Sequence, residues 1–197
     1  MAFINQEAKE IHCKIVYYGP SLGGKTTNIQ WVFQNTMQGQ DASELMNFDA
    51  NPERTVFFDF LPMEVGLIRG LRTRFHLYTV PGQVRFDASR KLILKGLDGV
   101  IFVADSQLER MDENISALRN LEKNLEQQGY DIKEVPLVLQ YNKRDLPNVA
   151  SMAELRAALN RYNAPDFEAN ASVGRGVMES LKTVSRGIVT ILKGGEV

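Results

Sequence analysis

The stretch that decides the fold is Gly19-Pro20-Ser21-Leu22-Gly23-Gly24-Lys25-Thr26, which matches the pattern G-x-x-x-x-G-K-[ST]. It follows an apolar run at residues 11–18 that predicts a strand, and it opens a segment from 26 to about 33 that predicts a helix. A strand before it and a helix after it are the context in which this pattern forms a phosphate-binding loop. The glycines let successive N–H groups curl around phosphates, and the helix N-terminus adds unpaired N–H donors.

The side chains of this loop have distinct expected roles. The Lys25 ammonium is expected to reach the β- and γ-phosphates of a nucleotide, and the Thr26 hydroxyl to take one coordination position of Mg²⁺. The residues expected to contact the phosphates are Gly19, Ser21, Gly23, Gly24, Lys25, Thr26 and Thr27.

Strand-length apolar runs alternate with helical patterns along the chain. Further strands are predicted at 55–65, 73–80, 99–104 and 136–141. The last two are continuously apolar, as in strands buried on both faces of a parallel sheet. Pro62 cannot donate a ladder hydrogen bond, so its strand is expected at an edge. The expected fold is a three-layer α/β P-loop NTPase whose mostly parallel sheet has one antiparallel edge strand.

Helices are predicted from apolar spacing and from end signals. Gly129 follows a helical pattern near 115–125 and is expected to terminate that helix. Ser151 with Glu154 has the spacing of a capping box that opens another helix. The last helix carries one apolar stripe, which consists of Val177, Leu181, Val184, Ile188 and Leu192. Residues 35–53 are polar and predict a long, functional loop.

A second motif selects the base. The run Asn142-Lys143-Arg144-Asp145 follows the strand at 136–141, at the carboxyl end where open α/β sheets bind ligands. Guanine presents two N–H donors on one edge, and the Asp145 carboxylate can accept both. Adenine has no such edge, and a mismatch would leave the charge unpaired. The Lys143 stem is expected to pack along the base, and Asn142 to tie this segment to the phosphate loop.

Composition excludes several classes of protein. The 197 residues predict a single domain, 1–197, and a net charge of −1 argues against a nucleic-acid-binding protein. One cysteine and two histidines cannot form an internal disulfide or a His/Cys zinc site. No apolar run is long enough to span a membrane, and no signal peptide or lipidation motif is found. The expectation is a cytoplasmic protein without a direct membrane anchor.

The two motifs together resemble the small Ras-like GTPases over nearly the whole chain. Within that superfamily the chain resembles most the bacterial MglA group of gliding-motility and cell-polarity GTPases. The narrower resemblance rests on three runs, namely Lys14-Ile15-Val16-Tyr17-Tyr18-Gly19-Pro20, Arg54-Thr55-Val56-Phe57-Phe58-Asp59-Phe60-Leu61-Pro62 and Arg74-Phe75-His76-Leu77-Tyr78-Thr79-Val80-Pro81-Gly82-Gln83.

The resemblance implies a G domain that binds GTP or GDP with Mg²⁺ and hydrolyses GTP as a molecular switch. Thr55 matches the switch I threonine, which completes the Mg²⁺ coordination when a γ-phosphate is present. Gly82 matches the glycine whose N–H meets the γ-phosphate, and Gln83 the glutamine that positions water. Arg54 matches an internal arginine finger, which can stabilise charge on the γ-phosphoryl group.

The resemblance also implies a third base-contacting loop and partners. The loop is Asn170-Ala171-Ser172, where a backbone amide of Ala171 or Ser172 would meet the guanine carbonyl. The implied partners are an MglB-like, Roadblock-type GTPase-activating protein and downstream polarity or motility effectors.

Three positions depart from the wider superfamily. Thr79 replaces the switch II aspartate, as in the MglA group, and a threonine can hold a metal-bound water but brings no charge. Ser172 stands where lysine is frequent. Ser21 stands where glycine is usual near the γ-phosphate.

Two alternatives remain open from the sequence. Thr79 and Ser21 keep open a nucleotide-binding scaffold that hydrolyses little or no GTP. A P-loop kinase or ATPase would bind ATP tightly, which Asp145 opposes.

Overall fold

A computed structural model of the protein describes residues 2–36, 60–68, 70–82 and 87–194. In these ranges the chain forms strands, helices and one 3-10 turn, in the order β1 Phe3–Asn5, β2 Glu10–Tyr18, α1 Lys25–Thr36, β3 Phe60–Ile68, β4 Leu71–Thr79, α2 Asp87–Leu94, β5 Gly99–Asp105, the turn Leu108–Arg110, α3 Met111–Glu126, β6 Leu137–Asn142, α4 Met152–Leu159, β7 Asp166–Glu168 and α5 Val177–Gly194.

The strands form one mixed sheet in the order β3-β4-β2-β5-β6-β7. The neighbours from β4 to β7 pair in parallel, whereas β3 pairs antiparallel with β4 at the edge. The predicted, mostly parallel sheet is therefore confirmed, and Pro62 lies in the edge strand. A short additional strand, β1, pairs antiparallel with the start of β2.

Hydrophobic cores lie on both faces of the sheet. Helices α1 and α5 cover one face with side chains such as Ile29 and Leu181. Helices α2, α3 and α4 cover the other with side chains such as Leu121 and Leu155. Every residue of β5 and β6 is buried, which explains why both strands are mostly apolar. Burying each large aliphatic side chain contributes about 1.5–3 kcal/mol, so both layers are held firmly to the sheet.

The helix ends follow the local signals. Gly129 has φ +79°, and the N–H groups of Gly129 and Tyr130 donate to the carbonyls of Glu126 and Leu125 at 2.9 and 3.0 Å. This is a Schellman motif, which terminates α3 as predicted. Ser151 opens α4 with a complete capping box: its hydroxyl accepts from the Glu154 N–H, and the Glu154 carboxylate accepts from the Ser151 N–H.

Cys13 and His76 lie on the central strands away from the carboxyl edge of the sheet. Burial, with a further contribution from Asp98, raises the pKa of the Cys13 thiol to about 12, so the thiol stays neutral at physiological pH. The His76 ring stacks on the His12 ring, with His76 Nε2 and His12 Nδ1 2.8 Å apart, so His76 lies on a face of the sheet. In the described part of the chain no helix is long and apolar enough to cross a membrane.

The carboxyl ends of the central parallel strands meet at one edge of the sheet. Strands β2, β5 and β6 are neighbours and run in the same direction. The segments that follow Tyr18, Asp105 and Asn142 therefore lie side by side. This edge is the ligand-binding position of open α/β sheets.

Replacing Ser151 by Ala should lower the free energy of unfolding by about 1 kcal/mol, because α4 loses its N-terminal cap. Urea denaturation followed by circular dichroism measures the change. Ser116→Ala is the matched control, since Ser116 is exposed within α3 and makes no hydrogen bond to any described residue. It should leave stability unchanged or slightly higher. Equal losses in the two variants would contradict the capping role.

Candidate nucleotide-binding site

The phosphate loop can be built only with glycine at two of its positions. Gly19 has φ +140°, and a Cβ there would lie 2.2 Å from the carbonyl oxygen of Val103 in β5. Gly24 has φ +99°, and a Cβ there would lie 2.1 Å from Nδ2 of Asn142. The loop is thus packed directly against the carboxyl ends of β5 and β6. Helix α1 begins at Lys25, within the loop motif, and has no acidic residue in its first turn.

Lys25 is a buried cation inside this loop. Its ammonium donates to the carbonyl oxygens of Gly19 and Pro20 at 3.0 and 2.6 Å, and only 7% of the residue is exposed. Burial, together with the nearby charge of Arg90, lowers the pKa of Lys25 to about 7. Carbonyl dipoles alone therefore stabilise this charge poorly. An anionic phosphate at the same point would stabilise it better.

Asn142 joins three loops through one buried side chain. Its Nδ2 donates to the carbonyl oxygen of Gly23 at 2.9 Å, and its Oδ1 accepts from the N–H of Ala171 at 2.9 Å. The tie to the phosphate loop expected from the sequence is present. The base-reading segment (142–145), the phosphate loop (19–26) and the third loop (170–172) are therefore held at a fixed spacing.

Lys143 and Asp145, which follow Asn142, differ in their side-chain contacts. Lys143 has φ +65°, and its ammonium contacts the carboxylate of Asp105 at 2.7 Å, which orients its stem. The Asp145 side chain is exposed and makes no hydrogen bond or ion pair with the described residues. Its carboxylate is available as a bidentate acceptor.

The amides of the third loop already have acceptors. The Ala171 N–H donates to Asn142, and the Ser172 N–H donates to the side chain of Asn170 at 3.2 Å. For either amide to meet a guanine carbonyl, it must share or exchange its present acceptor. The Ser172 hydroxyl also donates to Asn170, so this side chain points back into its own loop.

Oxygen atoms suited to Mg²⁺ lie beside the phosphate loop. Thr26 and Thr27 are half-buried in the first turn of α1. The Thr79 hydroxyl, at the end of β4, is buried and has no hydrogen-bond partner among the described residues. Hydroxyl and water oxygens are ligands that Mg²⁺ prefers, and an orphaned buried hydroxyl fits a metal-bound water.

Gly82 lies in direct contact with the phosphate loop. A Cβ on Gly82 would lie 2.4 Å from both the backbone nitrogen and the Cα of Ser21. No larger residue fits at this close approach. The predicted site residues Arg54, Thr55 and Gln83 lie outside the described residues.

The family model described as the ADP-ribosylation factor family matches residues 1–188. The chain belongs to the ADP-ribosylation factor family. Over 195 residues it is 56% identical to the "Mutual gliding-motility protein MglA" of Myxococcus xanthus (strain DK1622), covering 99% of this chain and 100% of that protein. It is 30% identical over 146 residues to "ADP-ribosylation factor-like protein 4A" of Homo sapiens and of Mus musculus, covering 74% of this chain and 64% of each relative.

Family membership confirms the Ras-like GTPase resemblance and its fold. This chain is a small GTPase, a switch that binds guanine nucleotides and hydrolyses GTP. The alternative of a P-loop kinase or ATPase is therefore set aside. The alternative of a scaffold without hydrolysis is set aside on the same ground.

Sequence reasoning missed several residues that shape the site of this GTPase. Asp105 ends the buried strand β5, beside the strand that carries Asn142, and that position is a signal that could have identified it. Gln140 in β6 donates to Asn28 at 2.9 Å, and Asn28 donates to the carbonyl of Gly24 at 2.9 Å. Side chains far apart in sequence make this buried link, and no local pattern predicts it.

Replacing Gly24 by Ala should weaken GDP binding by roughly 10²-fold or more, because the Cβ displaces the Asn142 amide and leaves buried polar groups unsatisfied. Equilibrium titration with a fluorescent GDP analogue measures the affinity, and circular dichroism verifies the fold.

Gly96→Ala is the matched control. Gly96 also has a positive φ, +71°, but nothing lies within 4 Å of a Cβ there. This variant should lose about 1–2 kcal/mol of stability and keep its affinity for GDP. Equal affinities in the two variants would contradict the role given to Gly24.

Proposed function

We propose that this GTPase binds GTP and GDP with Mg²⁺ between Lys25 and Asp145, and that the γ-phosphate controls its partners. The observation that carries this proposal is the Asn142 side chain, which fixes the phosphate loop and the base-reading segment against each other. A buried cation at one end and an available carboxylate at the other suit a ligand with an anionic tail and a base that offers two N–H donors.

The phosphate end of the nucleotide lies in the loop. Gly19, Ser21, Gly23 and Gly24 provide backbone close enough for N–H groups to reach the phosphates, and Thr27 lies beside them at the start of α1. Lys25 leaves the carbonyls of Gly19 and Pro20 and contacts the β- and γ-phosphates. Its charge is better stabilised there.

The guanine end lies against the base-reading segment. Asp145 accepts from two guanine N–H groups, and the stem of Lys143, oriented by Asp105, packs along the base. Asn142 holds the segment in place. An amide of Ala171 or Ser172 meets the guanine carbonyl after exchanging its present acceptor.

The hydroxyls of Thr26 and Thr55 would hold the metal, and the Thr79 hydroxyl would hydrogen-bond to a water beside it. When bound, Mg²⁺ neutralises charge on the β- and γ-phosphates. Thr79 contributes no charge, so the hydroxyls and the phosphates themselves are the main determinants of metal affinity.

Hydrolysis is an in-line attack of water on the γ-phosphorus. The new P–O bond forms to water while the bond to the bridging oxygen of GDP breaks. Gln83 positions the water, and Lys25 and Arg54 neutralise the charge that spreads over the phosphoryl oxygens. Intrinsic turnover should be slow, on the order of 10⁻⁴–10⁻² s⁻¹, and faster with an activating partner.

The same γ-phosphate sets the conformation. Gly82 lies so close to Ser21 that even a Cβ on Gly82 would overlap the Ser21 backbone. A γ-phosphate therefore moves Gly82, whose N–H then contacts it, while Thr55 orders the preceding switch segment. Loss of the phosphate releases both segments.

The cellular role follows the relative with 56% identity, which is named as a gliding-motility protein. In this proposal the chain is a single G domain, 1–197, acting in the cytoplasm in cell polarity or motility. An MglB-like, Roadblock-type protein stimulates hydrolysis, and downstream effectors bind the GTP form.

Asp145→Asn should weaken GTP binding by roughly 10²- to 10⁴-fold, because two charge-assisted hydrogen bonds to the base are lost. Xanthosine triphosphate should bind this variant better than GTP, because the amide N–H of asparagine matches the additional carbonyl of xanthine. Competition titrations measure both affinities.

Asp112→Asn is the control, since Asp112 is exposed in the first turn of α3. Its affinities for GTP and xanthosine triphosphate should equal those of the unchanged chain. An Asp145→Asn protein that still prefers GTP would overturn the guanine assignment.

Gln83→Ala and Arg54→Ala should each lower turnover in the presence of a Roadblock-type partner, by up to roughly 10³-fold for the arginine. GTP affinity should remain, because neither side chain holds the base. Phosphate release under single-turnover conditions measures the rate. Arg119→Ala, an exposed position on α3, is the control. Unchanged rates in both test variants would remove these catalytic roles.

A further inference from the structure

Arg110 reaches the phosphate loop from outside every motif considered so far. It ends the 3-10 turn after β5, and its Nη2 donates to the carbonyl oxygen of Ser21 at 2.7 Å. The two residues are separated by 89 positions in sequence. The side chain is 22% exposed, so it is partly buried against the loop and does not belong to the core.

Arg110 is itself held from two sides. Its Nη1 donates to the Glu113 carboxylate, and its Nε lies 3.8 Å from Oδ2 of Asp105. The Asp105 side chain is 1% exposed, and the same oxygen accepts from Lys143 at 2.7 Å. The backbone of Asp105 is fixed by the Asn114 amide, which contacts both its N–H and its carbonyl. The guanidinium is therefore a pre-positioned donor.

The orientation of the carbonyl that Arg110 binds has a direct consequence. The peptide between Ser21 and Leu22 is trans, as no cis peptide occurs among the described residues. In a planar trans peptide the C=O and the N–H point in opposite directions. Holding the Ser21 carbonyl toward Arg110 therefore turns the Leu22 N–H to the side of this peptide that faces away from Arg110.

Leu22 is a residue that needs to be held. It has φ +60°, a conformation that costs a non-glycine residue energy, and its side chain is 74% exposed and gains little from packing. The Gly23 N–H donates to the Pro20 carbonyl at 3.3 Å and closes a turn around this peptide. Turns of this kind differ in which way the central peptide points, and the Arg110 hydrogen bond to the Ser21 carbonyl favours one of the two orientations.

We propose that Arg110 is a positioning residue for nucleotide binding, which fixes the Ser21–Leu22 peptide so that the Leu22 N–H faces the β-phosphate of GDP or GTP. This inference rests on the proposed placement of the nucleotide in the loop. Because Arg110 acts through the phosphate loop, its contribution depends on the β-phosphate and not on the base.

The test compares Arg110→Met with the unchanged chain in competition titrations with GDP and with GMP, which lacks the β-phosphate. The dissociation constant for GDP should rise roughly 10- to 100-fold, the range for loss of a hydrogen bond from a charged donor. The constant for GMP should remain that of the unchanged chain. Stopped-flow release of a fluorescent GDP analogue should accelerate to the same extent.

Arg110→Lys is the second variant. Its dissociation constant for GDP should lie between those of the unchanged chain and Arg110→Met, because an ammonium keeps the charge but cannot contact Asp105 and Ser21 as a planar fork. Arg156→Met is the matched control, since Arg156 lies on α4 and pairs with Asp166 at the start of the edge strand β7, without contact to the phosphate loop. It should leave both affinities unchanged.

Equal weakening of GDP and GMP binding, or no weakening of either, would overturn the role of Arg110. Failure of the unchanged chain to bind GDP would instead contradict the proposed function. The two failures are therefore distinguishable within one experiment.

Discussion

The Asn142 side-chain amide is the contact on which the site depends. It is buried at the carboxyl end of β6, and both of its polar atoms are satisfied by the backbone of other loops, at Gly23 and Ala171. Leaving a buried donor or acceptor unsatisfied costs about 1–3 kcal/mol, so the three loops favour this one arrangement strongly. Gly24 is required for the same reason, because a Cβ would occupy the space of the amide nitrogen. Loops that belong to separate parts of the sequence thus form a single rigid cradle.

The charges of this cradle follow from where the sheet places them. Lys25 begins a helix directly behind the central strand, so its ammonium is enclosed by the loop and its pKa falls because of burial. Asp145 lies three residues beyond the end of β6 and is exposed at the rim. The phosphate end of the cradle therefore carries a cation without an anionic partner among the described residues, and the base end carries an exposed carboxylate. In the proposed function the strand order sets the distance between these two ends, since β5 lies between β2, which precedes Lys25, and β6, which precedes Asp145.

The sequence predicted what short-range patterns encode. The phosphate loop, the Asn142–Asp145 segment, Gly129 and Ser151 are each recognisable within a few residues, and the continuous apolar runs of β5 and β6 predicted a parallel sheet. Strands β1 and β7 were missed because three residues carry no measurable periodicity. Arg110 and Gln140 were missed for a different reason. Their partners, Ser21 and Asn28, are brought to them only by the folded topology, and neither residue type is unusual at its own position.

Two separate links now join the base-reading half of the cradle to its phosphate half. One runs from Asn142 to Gly23, and the other from Lys143 through Asp105 and Arg110 to Ser21. With both links in place the cradle has little freedom to respond to the loss of one phosphate. Gly82, by contrast, meets the cradle at Ser21, and the preceding carbonyl of Pro81 accepts from Arg90 in α2 at 3.3 Å. In the proposed switch a displacement of Gly82 is therefore passed on to α2, while the guanine end stays fixed. Rigidity of the binding cradle is what allows the phosphate state to be expressed in a different segment of the chain.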